Sequence, residues 1–359
     1  MTLRFLTAGE SHGPALIGLV DGLPAGLKLS EDAIAADLER RQRTHGRGGR
    51  QRIEKDRARI LGGLVRGRTT GAPVALMIEN LDYANWAGIE VPPNRIPRPG
   101  HADLAGCLKW GFDDTRLVSE RASARETAMR VALGAVAKAL LAEAGVHVLG
   151  ETASIGTVEA KAPARSAAAV DRSPVRCGDP KASAAMFRAI DRARAAGETL
   201  GGSVRVRAFG VPAGLGSSVQ WDRKLDGRIA QALMSIPSVK GVEIGDASWQ
   251  SRTVGSKAQD PILKGLRRPT NHAGGIEGGI TNGEPVVARV WMKPISTLKK
   301  GLASVNLKTG KSARAPYQRS DACVVPAATV IAEAMLAWIL ADALLERTGG
   351  DRVSDLRGA

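Results

Sequence analysis

The 359-residue chain carries 51 Lys+Arg against 36 Asp+Glu, a formal net charge of +15 and a pI near 10.2, and 43% of its residues are hydrophobic. That is enough to bury one large core or two ordinary ones, and the charge implies an anionic partner or substrate. Aromatics are only 3%, too few for a base-stacking nucleic-acid surface, and the three scattered cysteines exclude a disulfide framework and a CxxC metal site.

The opening residues, Met1-Thr2-Leu3-Arg4-Phe5-Leu6, form too short an apolar run for a signal peptide. No stretch reads as the ~18 apolar residues a membrane span needs, so a soluble, cytoplasmic protein with no membrane partner is expected. Gly9-Glu10-Ser11-His12-Gly13 comes next, an imidazole in a turn whose glycines let other groups approach the backbone. Such a histidine donates a proton to a ligand or simply faces water, and the residues alone favour neither. Ser30 N-caps a helix with Glu31 and Asp32 in its first turn and Arg40 and Arg41 in its last, as the macrodipole prefers. The helix runs into Arg40-Arg41-Gln42-Arg43-Thr44-His45-Gly46-Arg47-Gly48-Gly49-Arg50. Such runs are usually solvated helix ends or nucleic-acid patches, but charges this dense repel unless an anion neutralises them.

Arg98-Pro99-Gly100-His101-Ala102-Asp103 places a second histidine on a rigid turn, three residues after an arginine. Arginine to fix a phosphate and imidazolium to protonate the departing oxygen make a workable pair; Asp103 reads equally as a cap for the next segment. Arg121-Ala122-Ser123-Ala124-Arg125-Glu126-Thr127 leads into a long Ala-rich helix over 125–144, where free N–H groups suit a phosphate, although alone it is an ordinary N-cap. The stretch 158–175, rich in Ala, Pro and Arg, reads as an exposed excursion. Asp179-Pro180 opens a helix over 179–196, strands are expected at 203–207 and 285–291, and helices at 222–236 and 327–347. Asn271-His272-Ala273-Gly274-Gly275-Ile276-Glu277-Gly278-Gly279 either lies against a flat ring or turns between strands. Arg319-Ser320-Asp321-Ala322-Cys323 holds a carboxylate beside an arginine, a general base or a surface ion pair. The order of strands and helices lacks the regular rhythm of a doubly wound sheet, so the fold class is α+β.

Together and in this order the segments resemble the chorismate synthase family, from Phe5 to about Leu345. Asn80-Leu81-Asp82 with Trp86, Leu200-Gly201-Gly202, Pro212-Ala213-Gly214-Leu215-Gly216, Pro237-Ser238-Val239-Lys240-Gly241 and Lys293-Pro294-Ile295-Ser296-Thr297-Leu298 extend the likeness. The resemblance implies one domain over 1–359, a β-α-β sandwich assembled as a homotetramer, with no metal. It implies a 1,4-anti elimination of phosphate from 5-enolpyruvylshikimate 3-phosphate to give chorismate, in aromatic amino-acid biosynthesis, requiring reduced FMN without net redox change. By the same likeness His12 acts on the flavin, His101 on the leaving phosphate, and Asp321 works with flavin N5 in removing the C6 hydrogen. Arg41, Arg47, Arg98 and Arg319, with Arg50 beside them, hold the anionic groups, Arg41 and Arg47 being assigned to substrate or to NADPH. FMN contacts fall on Arg121, Ala122, Ser123, Pro237, Ser238, Gly278, Lys293, Pro294, Ile295, Ser296, Thr297 and Arg319. Pro237-Ser238 stands where relatives often have Asn-Ala, and Trp110 where they often have Tyr. The length leaves no room for a reductase domain, so an external flavin reductant is expected. Two other readings remain: a basic nucleic-acid-binding protein, motivated by charge, and a phosphohydrolase using His12 or His101, which would release phosphate without flavin.

Overall fold

Two antiparallel sheets enclose a layer of helices in the computed structural model, which describes residues 3–49, 53–318 and 321–356. Arg50 and Arg319 lie outside the described residues. The first sheet holds β1 (Arg4–Ala8), β2 (Ala15–Asp21), β3 (Ala58–Gly62) and β4 (Val74–Glu79), in the order β1-β2-β4-β3. Side chains alternate across a strand, so Leu16 and Val20 of β2 and Val74, Leu76 and Ile78 of β4 turn inward while Leu19 stays exposed. The β1–β2 pairing ends at Ala8 and Ile17, which leaves Gly9 to Pro14 as a loop at the sheet's end.

The second sheet holds β5 (His147–Ile155), β6 (Val158–Glu159), β7 (Gly202–Phe209), β8 (Val239–Ile244) and β9 (Val286–Met292), in the order β8-β9-β7-β5-β6. Both strands expected from β-branched runs fall here. The principal helices are α1 (Glu31–Gln42), α2 (Asp103–Trp110), α3 (Thr127–Ala142), α4 (Pro180–Ala195), α5 (Leu225–Met234) and α6 (Val325–Thr348). Ser30 caps α1 by accepting from Ala33 N, and Asp179 caps α4 by accepting from Lys181 N and Ala182 N, as their sequences require. The helix expected over 125–144 begins at Thr127 after a single 3-10 turn, and that expected over 222–236 shortens to α5 for the same reason.

α3 and α6 pack against each other at the centre, α3 facing the first sheet and α6 the second, in one core cluster that runs from Leu3 to Leu356. By length and composition α6 is apolar enough to cross a membrane, which corrects the expectation that no stretch qualifies. Its most apolar window is 94% buried inside the protein, so its hydrophobicity serves the core. The stretch 158–175 is also less exposed than expected. Its short helix Ala167–Asp171 and Ala164 cover the far face of β5, where Ala164 and Val170 bury Leu149.

At the α3–α6 crossing a Cβ on Gly134 would lie 2.1 Å from Ala334 Cβ and 2.5 Å from its Cα. Helix propensity favours Gly134→Ala by about 1 kcal/mol. Overpacking a rigid core costs about 1–3 kcal/mol and wins, because the clash is with backbone as well as side chain. Gly134→Ala is therefore expected to lower stability in urea unfolding; a gain would show that the helices separate freely.

The same helices carry a buried charge cluster. Glu333 on α6 is fully buried and accepts from Arg40 Nη1 and Nη2 at 2.7 and 2.8 Å, from Lys138 Nζ at 2.5 Å and from Gly150 N at 2.8 Å. Arg176 Nη2 stands 3.5 Å away.

Candidate active site

A cavity of about 1530 Å³ opens where the Gly9–Pro14 loop, the end of α1, the segment before α2, the start of α3, the loop after β9 and the start of α6 converge. Its lining holds the cations Arg41, Arg47, Arg98, Arg125 and Lys293, both histidines His12 and His101, and Asp321. The structure thus brings together side chains from sequence segments that lie far apart.

His12 sits in the loop between β1 and β2. Gly9 makes the turn at φ +103, where a Cβ would meet Ala15 O at 2.3 Å. Glu120 holds the loop from below: its Oε2 accepts from His12 N at 2.7 Å, its Oε1 lies 2.8 Å from His12 Nδ1, and its carbonyl accepts from Ser11 N at 3.0 Å. Trp86 leans on the ring at 4.5 Å between centroids. With Nδ1 occupied, Nε2 is the ring nitrogen left for a ligand.

His101 follows the Pro99-Gly100 turn. Its Nδ1 is 2.5 Å from Asp103 Oδ1, and Asp103 also accepts from Arg98 N, Nε and Nη2 at 3.0, 2.8 and 3.0 Å. Asp103 opens α2, but its side chain makes no cap bond; it holds Arg98 and His101 instead. Arg98 Nη1 donates to Gln318 Oε1 at 2.7 Å and to Thr297 Oγ1 at 3.3 Å. Burial alone would raise the Asp103 carboxyl, but hydrogen bonds from His101 and Arg98 hold it well below the usual carboxylate range.

Asp321 Oδ2 pairs with Arg47 Nη1 at 2.8 Å, and its Oδ1 accepts from Gly48 N at 2.6 Å. Arg47 Nε is buried with no hydrogen-bond partner among the described residues. Arg41, in the last turn of α1, is 2% exposed and donates to Thr127 Oγ1 at 2.9 Å and Ala124 O at 3.2 Å, with Asp56 no nearer than 3.5 Å. Burial and the neighbouring Arg47 push its guanidinium down to about 9, against the pull of Asp56. Beneath it Arg125 binds Asp56, Asn80 Oδ1 at 2.8 Å and Glu54 at 3.4 Å. With Arg116, six cations among the described residues line the cavity against the four carboxylates Glu10, Asp82, Glu120 and Asp321, and an anion relieves that imbalance.

Of the positions that the resemblance gives to FMN, Ala122, Ser123, Pro237, Ser238, Lys293, Ile295, Ser296 and Thr297 line the cavity. Ser238 holds φ 73, a strained conformation for a side-chain-bearing residue, and its carbonyl accepts from Lys293 N at 2.9 Å. Lys293 Nζ donates to Gly100 O at 2.9 Å and to Ser296 Oγ at 3.1 Å; burial and the nearby Lys240 push the ammonium below its ordinary value. Arg121, Pro294 and Gly278 are not part of the lining. Arg121 reaches Thr7 O at 2.8 Å and Gly9 O at 3.3 Å, and Gly278 turns between two short strands at φ 61. Trp110 is 57% exposed at the end of α2.

The sequence reading missed Glu120, Glu54 and Asp56 as site residues. Glu120 lies 108 residues from the histidine it binds, with no local pattern linking them. Asp103 carried a signal, two residues from His101, that capping preferences masked.

A family model described as chorismate synthase matches residues 3–345. The chorismate synthase of Desulforudis audaxviator is 54% identical over 371 residues, covering 99% of this chain and 95% of that protein. Those of Rubrobacter xylanophilus and Salinispora tropica are 52% and 50% identical, covering 100% and 99% of this chain and 96% of each relative. A solved structure titled "Crystal Structure of Chorismate Synthase" superposes with a TM-score of 0.81 at 42% identity, covering 99% of this chain and 96% of that one. None of these similarities supports a nucleic-acid-binding protein.

Proposed function

The chain belongs to the chorismate synthase family, lyases that act on phosphates, and on that premise we propose that its cavity eliminates phosphate from 5-enolpyruvylshikimate 3-phosphate beside reduced FMN. The observation that carries this reading is the lining itself: Arg41, Arg47, Arg98, Arg125 and Lys293 surround two carboxylate-anchored histidines. A substrate with two carboxylates and a phosphate supplies the missing negative charge.

The residues fit a flavin as well. Single-ligand pockets run to ~300–1,000 Å³, so a cavity of about 1530 Å³ has room for two ligands side by side. Trp86, Ile236, Pro237, Met292 and Ile331 offer apolar walls to a flat ring, and Ser123, Lys293, Ser296 and Thr297 offer donors to its phosphate. Held there, a reduced flavin would supply transient electron density for C–O cleavage with no net redox change.

This chain's residues then divide the work. Arg98 holds the substrate phosphate, and His101, tied at Nδ1, gives a proton from Nε2 to the departing oxygen. Asp321 is the base toward the C6 hydrogen, its carboxylate held in place by Arg47 Nη1 and Gly48 N. Arg41 and Arg47 hold the carboxylates and are the positions open to NADPH. His12 serves the flavin side through Nε2. The continuous core supports one domain over 1–359. Exposed Leu6, Leu19, Leu61 and Val65, and Leu104, Leu108 and Trp110 around α2, support assembly as a homotetramer. Three buried, unbridged cysteines suit the cytoplasm.

Mixing the protein anaerobically with the enolpyruvyl ester and reduced FMN is expected to give chorismate and phosphate in equal amounts; no product overturns the assignment. Phosphate release without flavin would favour a phosphohydrolase. Turnover with oxidised FMN and NADPH alone, using purified protein, would overturn the need for an external reductant.

A further inference from the structure

We infer that Asp103 is a positioning residue for the elimination, binding Arg98 and His101 into one rigid unit that presents an arginine N–H and imidazole Nε2 to the departing phosphate. The inference rests on the reading of His101 as the acid that protonates the leaving oxygen.

Asp103 has no exposed surface and spends both oxygens on this pair. Oδ2 accepts from Arg98 N and Nε, and Oδ1 from Arg98 Nη2 and His101 Nδ1. Arg98 Nη2 and His101 Nδ1 are 3.2 Å apart, both turned to Oδ1. An acceptor placed between two donors fixes the tautomer: Nδ1 carries a proton toward Asp103, and Nε2 is the nitrogen on the cavity side. Gly100, at φ 79, makes the turn that returns His101 N to Arg98 O at 3.2 Å.

The arrangement differs from that around His12. Glu120 and His12 keep 25% and 33% of their side chains in solvent, whereas Asp103 keeps none and His101 20%, so water screens the second pair less than the first. Among the described residues, the charged groups in contact with His101 are Asp103 and Arg98 from its own segment; Lys293, from the loop after β9, binds Gly100 O in the adjoining turn. Asp103 is the single carboxylate among these three, so it alone among them favours the charged imidazole that an acid on phosphate requires.

The test uses anaerobic turnover with reduced FMN across pH. Asp103→Asn is expected to lower kcat by ~10–10⁴-fold, a span set by outer-shell and triad carboxylates elsewhere, with a smaller change in KM. The alkaline limb of its kcat profile should move to lower pH, because a cation-stabilising charge is gone. Asp103→Glu should return the limb toward its original position, and Asp103→Asn should cost less in a His101→Ala background than alone. A folded Asp103→Asn variant with the limb unmoved and kcat within threefold overturns the inference while leaving His101 as the acid. A His101→Ala variant that keeps full rate and the same limb overturns the reading on which the inference stands. Nitrogen-15 histidine NMR of the unaltered protein decides the matter independently of variant folding. The acid form carries a proton on both His101 nitrogens; once the Nε2 proton is lost a Nδ1–H tautomer is expected, and a Nε2–H tautomer with bare Nδ1 would sink the proposal.

Discussion

Asp321→Asn is expected to cut kcat by ~10²–10⁴-fold, the usual contribution of a positioned general base. Asparagine keeps the shape of the side chain and an oxygen for Gly48 N, but it cannot take a proton from carbon. It also leaves Arg47 without the partner at 2.8 Å, beside an Nε that already lacks one among the described residues. The unpaired guanidinium then binds substrate carboxylate or phosphate at least as well as before, so KM should stay level or fall while kcat collapses. Deuterium at the abstracted position separates this from a binding defect: single-turnover rates should show a larger isotope effect in the variant, where proton removal has become limiting. Asp321 and Arg47 are only 16% and 10% exposed, so the variant's melting temperature is measured beside kcat to separate lost folding from lost chemistry. A folded variant with kcat within threefold of normal would remove Asp321 from the chemistry.

The largest stability effect is expected at the other end of the molecule's charge inventory. Glu333→Gln should destabilise by about 1–3 kcal/mol, because it removes the one fully buried carboxylate shared by half-buried Arg40 and Lys138 and buried Arg176, which keep Asp37 and Asp171 as partners. The unaltered protein should report the same cluster through acid. Burial by itself would raise the Glu333 carboxyl; Lys138, Arg40 and Arg176 overcome it and lower it from 4.5 to about 2. A folded-state value depressed below the unfolded one means the stabilisation is complete above about pH 4.5 and is lost as pH falls toward 2. Urea unfolding at neutral pH and at pH 3 measures both. Glu333→Gln should flatten the pH dependence in that window as well as lower the neutral value, and a variant as acid-sensitive as its parent would show that other carboxylates dominate.

Much of the architecture was legible locally. Ser30 and Asp179 cap their helices through bonds that their own sequences supply, and β-branched runs became β7 and β9 because alternating burial suits them. What escaped was set by distance along the chain. The apolar length of α6 reads as a core helix only once sheets and α3 surround it, and the 158–175 stretch reads as cover only once β5 lies beneath it. The site divides in the same way. His12, His101, Arg41, Arg47, Arg98 and Asp321 stand in segments that are indecisive one by one and take their roles from the order of the whole set; all line one cavity. The carboxylates that orient them cannot be found that way, since Glu120, Glu54 and Asp56 carry no motif and meet their partners across the fold.

α6 does two things along one axis. Ala327, Ala328 and Ile331 form a wall of the cavity, and Glu333, half a turn beyond, is clamped from α1 and α3. A ligand on that side meets a wall of buried, closely packed helix. Segments 91–98 and 293–297, which line the same cavity without helix or strand structure, are expected to take up more of the adjustment to a ligand than the helix wall, as hydrogen exchange with and without ligand would show.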